Sequence, residues 1–277
     1  MKHENGSHPL RAYLVLPLLT IAFLAAAAGN ALASSPLEGV WSFNGGRIAI
    51  HSEGSSGLTG TVIAPTTFAA CPHQVGEDIW TAITPRGDGS WQGRHQWFYE
   101  DGSCTPNPEL GATAFRVLDD GRGKYLRVCL SEPGSEEDPT IAADGRSAGA
   151  TFGCVDSELI AGLPTASELK ASSLIFQHGN AACLARHNLL VHIRKPAGDT
   201  IVKTKVTVSG GGVVRNAKVV RRGKGQVAIV RTGAIPSSTF VVSVTLETAL
   251  GHTVKTKRTY RRCPSAGPHP KHAGKHA

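Results

Sequence analysis

Across residues 47–52 apolar and polar positions alternate, with Ile48 and Ile50 set against Arg47, Ala49 and His51. Alternation of period two marks a strand buried on one face. Similar short runs recur at Leu58 to Ala64, Ile79 to Thr84, Trp91 to Tyr99, Ala112 to Leu118, Tyr125 to Leu130 and Ser147 to Cys154. Turn-forming stretches such as Pro85-Arg86-Gly87-Asp88-Gly89 and Asp119-Asp120-Gly121-Arg122-Gly123 separate them. Counting the opening Gly39-Val40-Trp41, about eight closely spaced strands linked as hairpins predict a small antiparallel β-barrel, or a sandwich, over 34–162.

Residues 163–177 lose this rhythm and read as a linker, with at most one helical turn around Ser167 to Ala171. Alternation then returns over 178–263. Leu189, Val191 and Ile193 alternate with Leu190, His192 and Arg194, and Val202, Val206 and Val208 with Lys203, Lys205 and Thr207. Phe240, Val242, Val244 and Leu246 oppose Val241, Ser243, Thr245 and Glu247 before a turn at Leu250-Gly251 leads into Thr253 to Tyr260. The pattern predicts an all-β chain of two domains with almost no helix. Composition agrees: 32 Gly, 16 Pro and only 18% charged residues suit short strands and turns rather than a helical bundle.

The two ends are different in kind. Lys2 and Arg11 precede an apolar run from Ala12 to Ala28, followed by Ala31-Leu32-Ala33, the three regions of a signal peptide spanning 1–33. The run falls short of the ~20 residues that a spanning helix needs, and no run after Ser34 approaches that length. The expectation is a secreted, extracellular or cell-surface protein without a transmembrane segment in its mature chain. Residues 264–277 carry Lys271, Lys275, His269, His272 and His276 among Pro, Gly and Ala, and read as a disordered cationic tail.

Six cysteines, at 71, 104, 129, 154, 183 and 263, all follow the leader. An even number in an exported chain predicts three disulfides. Division of the chain near residue 170 favours sequential pairing: Cys71 with Cys104, Cys129 with Cys154, and Cys183 with Cys263. No pair has the close spacing of a zinc site, so no metal is expected.

Charge divides the halves sharply. Residues 34–165 hold 17 acidic and 8 basic residues, whereas 166–277 hold 3 acidic and 19 basic ones. All four tryptophans, at 41, 80, 91 and 97, lie in the acidic half. The basic half includes Lys203, Lys205, Arg221, Arg222, Lys255, Lys257 and Arg261, a set able to bind an anionic polymer of the cell envelope. Docking on the acidic half would consume the same charge. Export and the scarcity of aromatic residues in this half argue against nucleic acid.

The Gly39-Val40-Trp41 opening and the later Trp91-Gln92-Gly93 resemble the early strands of calycin-type, lipocalin-like exported barrels. That resemblance implies that Trp41 closes one end of a barrel and that a small apolar ligand sits inside, with Trp41, Trp80, Trp97 and Phe115 as candidate lining. Cys183-Leu184-Ala185-Arg186 and Tyr260-Arg261-Arg262-Cys263 resemble the ends of disulfide-closed bacterial Ig-like modules of surface proteins. This likeness implies an Ig-like β-sandwich and a non-enzymatic task.

Catalytic signals are weak. Gly145-Arg146-Ser147-Ala148-Gly149 matches the G-x-S-x-G nucleophile elbow, but strand-like sequence follows where the elbow needs a helix, so it reads as a Gly-rich hairpin turn. The acidic pairs Glu100-Asp101 and Asp119-Asp120, and the run Glu136-Glu137-Asp138, read as solvated loops. No cofactor motif is present. The sequence therefore predicts a secreted, non-enzymatic protein held to the cell surface by its basic domain, with carriage of an apolar ligand in the barrel as the alternative.

Overall fold

The computed structural model describes residues 35–263, except 55–56, 68–69, 100, 122, 178–182 and 185–187. The expected leader, the His- and Lys-rich tail, and Ala185 and Arg186 of the Cys-x-x-Arg element lie outside the described residues.

Eight strands close an antiparallel barrel. They are β1 (Gly39–Phe43), β2 (Gly46–Ser52), β3 (Leu58–Ala64), β4 (Asp78–Pro85), β5 (Trp91–His95), β6 (Gly111–Asp119), β7 (Lys124–Leu130) and β10 (Gly153–Ala161), with β10 pairing back to β1. Of the barrel and the sandwich that the strand pattern allows, closure selects the barrel and leaves it no free sheet edge. The first hairpin shows how local sequence sets register. Phe43 pairs with Gly46 across Asn44-Gly45, and both turn residues have positive φ, as a tight two-residue turn requires.

Inward-facing side chains fill the barrel. Phe43 and Phe115 each pack edge-on against Trp80, with ring centroids 4.8 and 5.3 Å away. Such pairs contribute about 0.5–1.5 kcal/mol beyond burial itself. Between β7 and β10 a small ribbon, β8 (Thr140–Ile141) with β9 (Ser147–Ala148), lies over the outside of the barrel, where Ile141 packs with Ala114 and Cys129. Arg116, nearly buried, holds it there by donating to the Ile141 carbonyl at 2.8 Å. The Gly145 to Gly149 segment belongs to this ribbon and its turn, with Ser147 exposed and paired with Ile141.

The segment expected to be a linker contains more structure than its sequence suggests. After one helical turn (Ala171–Leu174) comes β11 (Ile175–Gln177), which pairs with β12 (Asn188–Ile193). Leu174 and Ile175 are buried, so this short stretch is part of the second core. The remaining strands are β13 (Ile201–Gly210), β14 (Val213–Asn216), β15 (Lys218–Arg222), β16 (Gly225–Arg231), β17 (Thr239–Thr248) and β18 (Thr253–Arg261). They form two four-stranded antiparallel sheets, β11-β12-β16-β15 and β14-β13-β17-β18, that share one apolar core.

Three disulfides join Cys71 to Cys104, Cys129 to Cys154 and Cys183 to Cys263, the sequential pairing. Cys129 and Cys154 are directly opposed on β7 and β10. Three such bridges suit an oxidising environment outside the cell. Among the described residues, no helix is long and apolar enough to cross a membrane.

The barrel and the second domain touch. Val40, Ala49 and Ile63 are buried on the outside of the barrel, packed with Leu163, Ala249 and Leu250. Thr200 Oγ1 donates to the Ile63 carbonyl at 2.7 Å. The junction is apolar at its centre, although the halves carry opposite charge.

Candidate functional sites

Two regions concentrate chemistry. The first is at the end of the barrel where β1, β3, β5 and β7 finish. In sequence Trp91 to Tyr99 reads as one strand, but β5 ends at His95. Trp97-Phe98-Tyr99 places three aromatics in succession, which no half-buried strand accommodates on one face. The chain instead leaves the barrel wall. The Gln96 amide side chain donates to the carbonyls of Trp97 (2.8 Å) and Asn107 (2.7 Å), and Phe98 bridges to Pro106. The Cys71–Cys104 disulfide ties this lip to the chain between β3 and β4.

Under the lip is a partly open cavity of about 290 Å³, lined by Phe43, His73, His95, Trp97, Phe98 and Phe152 among others. Phe98 stacks on His73 at 4.6 Å, Trp97 meets His95 edge-on at 4.9 Å, and Phe152 meets Trp97 at 4.8 Å. Phe152 and Tyr99 leave nearly half their surface in solvent at the rim. The close fit depends on Gly111, where a Cβ would lie 2.0 Å from the Ser131 carbonyl oxygen and 2.2 Å from Trp97 Nε1.

His95 is the unusual group of this site. It is 4% exposed, and the Ile79 backbone carbonyl is the one neighbour that favours its protonated form. Its Nδ1 is buried and has no hydrogen-bond partner. Burial, reinforced by the neighbouring His73, pushes its pKa down to about 3. The ring is therefore neutral, with one nitrogen carrying a proton and the other a lone pair. A buried polar atom left unpaired costs about 1–3 kcal/mol. Burial also lowers the pKa of His73, against the opposing effect of Glu77, whose Oε2 lies 3.1 Å from Nδ1.

Of the aromatic residues marked in the sequence as ligand lining, only Trp97 is on the wall of this cavity. Trp41, Trp80 and Phe115 pack in the barrel core with 0–1% exposure, and Trp41 Nε1 donates to the Leu37 carbonyl at 2.8 Å. His73, His95 and Phe152 were not signalled, because isolated histidines and a lone phenylalanine look like ordinary core. The signal that was available is the run of three aromatics.

The second region is the outer face of the sheet β14-β13-β17-β18. Val206 and Val208 on β13, and Phe240, Val242, Val244 and Leu246 on β17, point inward. By alternation Lys203 and Lys205 on β13, and Lys255, Lys257 and Arg261 on β18, point outward. Register aligns them across β17: Lys205 and Lys255 both pair with Thr245, and Lys257 with Ser243. Glu247 pairs with Lys203, Nζ to Oε1 3.0 Å. Among the described residues, no carboxylate comes within ion-pair distance of Lys205, Lys255, Lys257 or Arg261. Arg221 and Arg222 lie apart from this set, on β15 of the other sheet.

The chain matches no protein-family model, and no curated protein is similar to it at a significant level. The functional argument therefore rests on these two sites.

Proposed function

We propose that the chain is an exported, non-enzymatic protein that attaches to an anionic polymer of the cell envelope through the outer face of β13, β17 and β18. In this reading the second domain is an Ig-like β-sandwich serving as the attachment module, and the barrel is what it presents. The observation that carries the proposal is the alignment of Lys205, Lys255, Lys257 and Arg261 on one hydroxyl-rich sheet face whose carboxylate, Glu247, is taken by Lys203. Cations spaced by strand geometry, about 10 Å across the intervening β17 and about 7 Å along β18, match a flexible chain of phosphate or carboxylate groups without sequence readout. The test is retention on immobilised heparin as a polyanion probe. Lys205→Gln with Lys255→Gln and Lys257→Gln should elute at clearly lower salt, while Arg222→Gln on the other sheet should not. Equal elution of all variants would remove the face from the account.

A second reading is favoured by the cavity under the barrel lip. The calycin-like reading of the barrel supplies a carrier role, and the aromatic walls and unpartnered His95 Nδ1 suit a small, largely apolar molecule with one hydrogen-bonding group. Quenching of tryptophan fluorescence by phenol as a probe tests it. Saturable quenching that His95→Gln weakens supports the reading, and quenching that is linear with concentration opposes it.

A further inference from the structure

The junction between the barrel and the second domain holds a charge arrangement that neither proposal uses. On β2 the alternation that turns Ile48 and Ile50 into the barrel turns Arg47 and Ala49 outward. Ala49 is covered by the second domain, but Arg47, two positions earlier on the same face, is not. It lines a cleft of about 530 Å³. Facing it from the second domain are Lys195 at the start of the 195–199 loop, Arg221 near the end of β15, and Lys224 in the turn to β16. The floor is apolar and includes Val40, Ile63 and Ile160.

Four cations thus converge from three separate segments. Among the described residues, no carboxylate lies within ion-pair distance of any of them. The one acid in the cleft wall, Asp199, is fully buried, and its Oδ1 accepts from the backbone amides of Thr200 (2.6 Å) and Leu250 (3.3 Å). That oxygen holds the loops together, while Oδ2 is buried with no hydrogen-bond partner among the described residues. Burial, then Arg47 and Arg221, lower the pKa of Lys195 against the pull of Asp199. Repulsion across a domain junction opposes docking unless an anion offsets it.

We propose that this cleft binds a doubly charged phosphate group, held by Arg47 of the barrel together with Lys195, Arg221 and Lys224 of the second domain. Guanidinium groups on opposite walls suit a tetrahedral oxyanion, because each can offer two parallel donors to two of its oxygens. The apolar floor extends the site toward a phosphate monoester with an apolar stem. Such a ligand couples the domains, since its charge is shared between them.

The experiment is thermal unfolding of residues 34–277 in increasing inorganic phosphate, or phenyl phosphate, against chloride at matched ionic strength. Tryptophan fluorescence reports the barrel alone, because all four tryptophans are in it, and far-ultraviolet circular dichroism reports both domains. A saturable rise in Tm with phosphate, weakened at least tenfold in apparent affinity by Arg47→Gln or Arg221→Gln and unchanged by Lys170→Gln, is expected. Binding of both probes indicates a free phosphate site, and binding of phenyl phosphate alone indicates a monoester site that uses the floor. If Arg47→Gln fails to fold, Lys224→Gln, on an exposed turn, is the replacement and should weaken binding in the same way. A response no larger than that to chloride, or one equal in wild type and cleft variants, overturns the proposal. Loss on substitution of the outer-face lysines alone would assign the anion to that face.

Discussion

Replacing His95 by glutamine removes a titration that the fold resists, and the size of the effect follows from the structure. In the unfolded chain an imidazole has a pKa near 6.5, whereas in the folded barrel His95 is held at about 3. A folded pKa below the unfolded one contributes stability that is fully present above pH 6.5 and is lost as pH falls toward 3, because the unfolded state then takes up a proton that the native state excludes. Between about pH 7.5 and about pH 5 this linkage removes about 2 kcal/mol from the stability of the wild-type protein. His73 shifts in the same direction but remains in the variant, and the depressed carboxylates Asp88, Asp101 and Asp144 titrate at lower pH in both proteins. The assay is urea unfolding followed by tryptophan fluorescence at the two pH values, for wild type and His95→Gln. Absolute stabilities will differ, so the quantity of interest is the change with pH. It should be smaller by about 2 kcal/mol in the variant. Equal pH dependence in the two proteins would mean that His95 is not buried as a neutral ring, and the chemistry assigned to the cavity would go with it.

Gly111→Ala should lower the barrel's stability by about 1–3 kcal/mol, since the new methyl meets a backbone oxygen that cannot move aside. Thermal melting checks it, and an unchanged Tm with unchanged tryptophan emission would contradict the packing of Trp97 on this strand. Removing the terminal bridge by Cys183→Ser with Cys263→Ser opens a loop of sequence separation 80. Chain-entropy models credit such a loop with about 4 kcal/mol. The circular-dichroism transition of the second domain should move to lower urea concentration while the tryptophan signal of the barrel moves much less, and equal movement of both would contradict separate cores.

The strands were legible because alternation of apolar and polar residues is a local signal, and most predicted runs fall within one or two residues of the observed ones. Leu58 to Ala64 coincides with β3, and the sequential disulfides follow from the division of the chain. The failures share a physical cause, which is that a sequence pattern does not show what lies outside a strand. Ala49 reads as the solvent side of a half-buried strand, yet the second domain covers it. Ile175 falls in the predicted linker because three residues are too short a run to show a period, although it is part of the second core. The cavity depends on His73, His95 and Phe152, which come from three distant segments, and only the run Trp97-Phe98-Tyr99 announced that the chain leaves the wall there. Of the cations marked in the sequence, strand parity collects five on one face and sends Arg221 and Arg222 to the other sheet.

The most direct test of the central claim is co-sedimentation of residues 34–277 with purified bacterial cell envelope at low and high salt, for wild type and for the Lys205→Gln, Lys255→Gln and Lys257→Gln triple variant. The account predicts that wild type pellets at low salt and is released at high salt, as screened attraction between exposed charges requires, and that the variant stays in solution throughout. Equal pelleting of wild type and variant, or no pelleting of wild type at low salt, would contradict attachment through this face.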